Sequence, residues 1–107
     1  MIPLNNLLIL PKHEDYFIYG FGSCAKHLHS ILTVPQKKNF QGFIHKDRSV
    51  KIYNDFVYSI DEFLSKAISH DTLIIIASSY WKEISKILLE NSYIRLFFYP
   101  SINFEKK

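Results

Sequence analysis

The chain has 107 residues, enough to bury one core and too few for a second. Hydrophobic residues make up 48% and aromatics 16%, with three glycines and four prolines, which excludes a disordered or low-complexity segment. Thirteen basic and ten acidic residues give a formal charge of +3, spread along the chain apart from short pairs such as Lys37-Lys38 and Lys106-Lys107, so no nucleic-acid partner is expected from charge alone.

A single cysteine excludes an internal disulfide and suits a reducing compartment. The apolar opening from Met1 to Leu10 lacks the basic start and small-residue cleavage site of a signal peptide. No apolar run approaches the roughly 20 residues that span a bilayer, so a cytoplasmic location without a membrane span is expected.

Two units follow in chain order: an N-terminal arm, residues 1–15, and one domain, residues 16–107. Tyr16-Phe17-Ile18-Tyr19 reads as a buried strand halted by Gly20. Ala25, Leu28, Ile31 and Leu32 then recur at helical spacing, which leaves Lys26, His27, His29 and Ser30 facing outward. Pro35 to Asn39 is expected to break that helix before a second strand, Phe40-Gln41-Gly42-Phe43-Ile44. Phe56-Val57-Tyr58 makes a short third strand.

Ser59 and Glu62 have capping-box spacing ahead of Ile60, Phe63, Leu64, Ala67 and Ile68, the face of a second helix. Thr72 to Ala77 is a continuous β-rich run of the kind found in a central parallel strand. Trp81, Ile84, Ile87 and Leu88 stripe a third helix, and Ile94 to Tyr99 forms the last strand before Pro100. Alternation of strand and helix predicts a small three-layer α/β domain of the Rossmann-like type. Its mostly parallel sheet has about five strands in the order 3-2-1-4-5.

The chemistry-bearing signal is the first strand-to-helix turn, Gly20-Phe21-Gly22-Ser23-Cys24-Ala25, which fits G-x-G-x-x-G/A. Gly20 permits a tight turn, Gly22 leaves room for a phosphate at the backbone, and Ala25 allows close packing of helix on strand. The helix N-terminus supplies free N–H groups and the positive end of its dipole. A tight turn with no ligand is the competing reading. Asp47 stands beyond the second strand, where an acid binds ribose hydroxyls in dinucleotide folds, while Lys46 and Arg48 beside it suit a 2′-phosphate; NAD and NADP both stay open.

Ser78 and Ser79 end the central strand at the edge where open α/β sheets bind ligands, and one of them equally serves as the cap of the next helix. Trp81 reads as core rather than as a cover for a base, and Cys24 as a small packing residue rather than a reactive thiol. No zinc spacing, P-loop lysine or nucleophile elbow is present.

Taken with Gly42-Phe43-Ile44, Asp47, Ser59-Ile60-Asp61-Glu62-Phe63 and Leu73 to Ala77, the glycine turn makes residues 16–100 resemble small Rossmann-like domains. These stand at the front of bacterial sugar-nucleotide and surface-polysaccharide enzymes, including sugar acetyltransferases and membrane-linked sugar dehydratases. The resemblance implies binding of a nucleotide, nucleotide sugar or NAD(P), as a sensor or a non-catalytic subunit beside a catalytic partner, in cell-surface carbohydrate metabolism. Neither β-helix repeats nor a second catalytic half follows, so it implies binding more than catalysis. A small homodimeric NAD(P)-dependent or sugar-nucleotide-modifying enzyme, and an interaction module with an empty crevice, remain alternatives.

Finally, Leu4, Leu7, Leu8, Ile9 and Leu10 of the arm and the aromatic last strand need cover. A two-fold dimer through either is expected, with folding of the arm over its own sheet as the alternative.

Overall fold

A computed structural model describes residues 2–3, 14–20, 22–32, 34–45, 50–52, 55–66, 68–78 and 80–99. The elements are β1 (Ile2–Pro3), β2 (Tyr16–Tyr19), α1 (Ser23–Ile31), α2 (Val34–Asn39), β3 (Phe40–His45) and β4 (Val50–Ile52). They continue with β5 (Asp55–Ser59), α3 (Ile60–Ser65), β6 (Leu73–Ile76), α4 (Trp81–Glu90) and β7 (Leu96–Phe98).

The five expected strands form an all-parallel array, β5-β3-β2-β6-β7, which is the order 3-2-1-4-5. Two short strands extend it. β1 lies parallel to β7, pairing Ile2 with Phe97 and Pro3 with Phe98, so the arm begins along the sheet of its own chain. β4 folds back antiparallel on β5 at the other edge. The first pairing occupies, over two residues, the edge expected to meet a second chain; residues 4–13 of the arm lie outside the described residues.

Parity along the central strands builds the layers, because alternate side chains of a strand point to opposite faces. Tyr16, Ile18, Leu73 and Ile75 join Cys24, Ala25, Leu28 and Leu32 of α1 and its C-cap in one buried cluster. Phe17, Tyr19, Ile74 and Ile76 join Phe63 of α3 and Ile84 and Leu88 of α4 in the other. The sheet is thus buried on both sides, which is why β6 reads as an unbroken apolar run.

Three local expectations are corrected. The expected break after α1 is present, α1 ending at Ile31, but the segment that follows is itself helical: Pro35 sits in the first turn of α2, where the N–H that proline lacks would have no helical partner. The buried Tyr16 hydroxyl holds that helix to the sheet by donating to the Gln36 carbonyl at 2.8 Å. Along α1, Ile31 is exposed while His29 is half-buried against Phe40 and Phe43, with ring centroids 4.8 and 5.6 Å away. Helix α3 stops at Ser65, although Ile68 beyond it still packs on the core and its carbonyl accepts the Tyr93 hydroxyl.

Pairing of β2 with β3 slips between Tyr16 and Ile18, which meet Phe40 and Phe43, so β3 carries one extra residue. Gly42 takes a φ of +144° at this bulge, a conformation that favours glycine.

Candidate functional site

The carboxyl ends of β2 and β6 lie side by side, Tyr19 opposite Ile76. From them the chain leaves in opposite directions, α1 onto one face of the sheet and α4 onto the other. In open α/β sheets such divergence leaves a crevice outside the strand ends, and ligands bind there.

Gly20 is locked at the floor of this edge. Its N–H donates to the Ile44 carbonyl at 2.7 Å, and next to it the Ala77 N–H donates to the Tyr19 carbonyl at 2.9 Å. Its φ is +124°, and a Cβ there would stand 2.6 Å from the Ala77 carbonyl oxygen, so the position admits only glycine. The same imaginary Cβ would lie 3.6 Å from the Ala25 methyl, which is fully buried. That is the close helix-on-strand packing expected of the alanine that completes the motif.

Gly22 behaves differently. It is the N-cap of α1 in an extended conformation (φ −87°, ψ −163°), without a side-chain cap, and a Cβ there would meet nothing within 4 Å. No acidic residue stands in the first turn of α1. The turn therefore leaves a helix N-terminus whose own first turn supplies no carboxylate, the electrostatic setting that favours an anion.

Of the other expected site residues, Ser23 opens α1, and Cys24 is buried in the cluster beneath it, a packing position. Ser78 is half-buried and its Oγ accepts the Tyr80 N–H at 3.1 Å, closing a local turn. The N-cap of α4 is Tyr80, a correction to the expectation that Ser78 or Ser79 caps that helix. Phe21, Asp47 and Ser79 lie outside the described residues; β3 ends at His45, two positions before Asp47. Trp81 packs on Phe98, with ring centroids 4.7 Å apart, and belongs to the core face as expected.

Two aromatic features of this edge escape a reading by periodicity. Tyr80 is exposed although it stands four and eight residues before the buried Ile84 and Leu88, because it is the N-cap of α4 and not part of its helical stripe. Tyr99, just past β7, is buried, and its hydroxyl lies 2.9 Å from Nδ1 of His27, with the two rings stacked. This bond ties the outer side of α1 to the end of β7.

The clear displacements of proton affinity lie elsewhere. Burial pushes the Tyr16 and Tyr93 hydroxyls up. Bidentate pairing with Arg95, whose Nη1 also donates to the Asp71 carbonyl, holds the Glu14 carboxyl below its ordinary value. Among the described residues no three His, Cys, Asp or Glu side chains group as a metal site would require, and no helix is long and apolar enough to cross a membrane. No family model matches the chain, and no curated protein or solved structure is similar to it at a significant level.

Proposed function

We propose that the crevice between the ends of β2 and β6 binds a phosphate-bearing, nucleotide-type ligand, such as NAD(P) or a nucleotide sugar. Its anionic group would rest on the first turn of α1. The observation that carries this reading is the contrast between the two glycines: Gly20 is required by the backbone, whereas no described residue beyond its chain neighbours comes within 4 Å of where a Gly22 Cβ would stand. A Cβ fits sterically at Gly22, so its lack of a side chain serves a ligand approaching the backbone. The role is that of a binding or sensing subunit, with chemistry supplied by a partner.

A thermal-shift panel of NAD, NADP, nucleotide sugars and coenzyme A tests it. A ligand present at one hundred times its dissociation constant adds about 2.7 kcal/mol, or on the order of 10 °C in a domain of this size. The shift should vanish in Gly22→Val. A panel without any shift would favour an interaction module with an empty crevice.

A further inference from the structure

Between Tyr16 and His45 the sequence contains no aspartate or glutamate, while Lys26, Lys37 and Lys38 lie within it. Along the chain these lysines look scattered. In the fold they share one layer, because α1 and α2 cover the same face of the sheet: α1 buries Cys24, Ala25 and Leu28 there, and α2 accepts the Tyr16 hydroxyl from it. All three lysines are exposed, as are His27 and Ser30. The opposite layer is mixed in sign, with Asp61, Glu62, Glu83 and Glu90 on α3 and α4 among Lys66, Lys82 and Lys86. The acids nearest in sequence are Glu14 and Asp15, which precede β2, and Asp47, which lies outside the described residues; Glu14 is engaged by Arg95.

The cationic layer also has an aromatic element. The half-buried rings of His29 and Phe40 lie 4.8 Å apart, Phe40 following directly on the Lys37-Lys38-Asn39 end of α2.

We propose that the α1–α2 layer is a docking surface for single-stranded nucleic acid. Its phosphates are held by Lys26, Lys37 and Lys38, and a base stacks at the Phe40 and His29 rings. Cations beside partly exposed aromatic rings are the combination that sequence-tolerant single-strand binding uses. An acidic peptide has no use for the ring pair. A membrane surface would call for large exposed apolar side chains, and among the described residues α1 and α2 expose only Ile31.

The test is fluorescence anisotropy of the full chain with a labelled oligouridylate at low ionic strength, with inorganic polyphosphate and phosphatidylserine-containing vesicles as separate arms. The oligonucleotide should bind, with log affinity falling against log salt at a slope of about −2, three phosphate contacts at about −0.7 each. Lys26→Glu/Lys37→Glu/Lys38→Glu should weaken binding at least tenfold. Lys66→Glu/Lys82→Glu/Lys86→Glu, an equal change of net charge on the other layer, should leave it within about twofold. Phe40→Leu, which keeps apolar bulk, should lower affinity for oligouridylate about fivefold or more and leave polyphosphate binding unchanged. Circular dichroism confirms that each variant is folded. Absence of oligonucleotide binding, equal loss from the two charge reversals, an inert Phe40→Leu, or tighter binding to vesicles than to oligouridylate would each overturn the proposal.

Discussion

Replacing Gly20 by alanine puts a methyl carbon 2.6 Å from the Ala77 carbonyl oxygen and 3.3 Å from its carbon, both backbone atoms. Neither can swing aside as a side-chain tip would, since Ala77 donates its own N–H to the Tyr19 carbonyl. Relief must come from parting the central strands β2 and β6, an overpacking cost of about 1–3 kcal/mol. A non-glycine residue at φ +124° adds about 1–3 kcal/mol, and the stiffer unfolded chain adds about 0.4–1 kcal/mol that glycine does not contribute to folding but alanine does, in the stabilising direction. The net is a loss of about 1–5 kcal/mol, a large share of the 5–15 kcal/mol that holds a typical domain together.

Gly22→Ala meets open space in an extended conformation, and its cost is the poorer N-cap alone, about 1 kcal/mol. Urea denaturation reads both, with slopes of about 1–3 kcal/mol per molar setting a midpoint shift of roughly 1–3 M for Gly20→Ala. Near-equal midpoints for the two variants would refute this division of labour between the glycines.

Other outcomes follow from single contacts. Ser59 and Glu62 exchange hydrogen bonds of 3.1 and 2.9 Å in the capping box of α3, so Ser59→Ala should lower unfolding stability by about 1 kcal/mol, readable by denaturant titration. Helix α4 ends with the Ser92 N–H on the Leu89 carbonyl and the Tyr93 N–H on the Leu88 carbonyl, with Ser92 at a φ of +71°. Ser92→Gly relieves that conformation and should raise the melting temperature, by about 0.5–1 kcal/mol of stability. The Glu14 carboxyl is depressed by Arg95, so its contribution is present above the unfolded value of about 4.5 and is lost as pH falls through the lower folded value; Glu14→Gln should flatten that part of an acid titration of stability. Tyr16 shifts the other way: its contribution is complete below pH 10 and declines as the unfolded hydroxyl ionises above it, so Tyr16→Phe, about 1 kcal/mol less stable at neutral pH, should converge on the wild type in alkaline melts.

The strand order was legible because each strand announces itself by composition, and because connections between parallel strands run in one hand. What composition does not carry is how neighbours divide the borders of a helical stripe. Ile31 and His29 stand on opposite borders of the Ala25 and Leu28 face, and hydrophobicity alone places Ile31 inside. The structure reverses this because Phe40 and Phe43 of β3 reach the His29 side. Pro35 carried half of its message: a proline that stops one helix is equally suited to the first turn of the next, and α2, whose Gln36 carbonyl accepts the Tyr16 hydroxyl, left no stripe of its own in the sequence.

The site was half legible, and the reason lies in what each glycine answers to. Gly20 answers to the chain itself, since the strand ends of β3 and β6 close around it, and the G-x-G spacing after an aromatic strand was enough to find it. The place where the crevice opens depends on a long-range fact. Two adjacent strands must send their helices to opposite faces, and this is encoded in parity rather than in any motif. Tyr16 and Ile18 share a cluster with α1, Ile74 and Ile76 share one with α4, and β2 and β6 pair without a slip. With the register of these two strands known, the alternation of apolar side chains along them determines which edge residues flank the divergence: Gly22 on one side, Ser78 and Tyr80 on the other. The Gly22 approach is therefore as much a consequence of the core as of the turn, and a one-residue slip of β6 against β2 would exchange its buried faces and break up both clusters without altering a single residue of the motif.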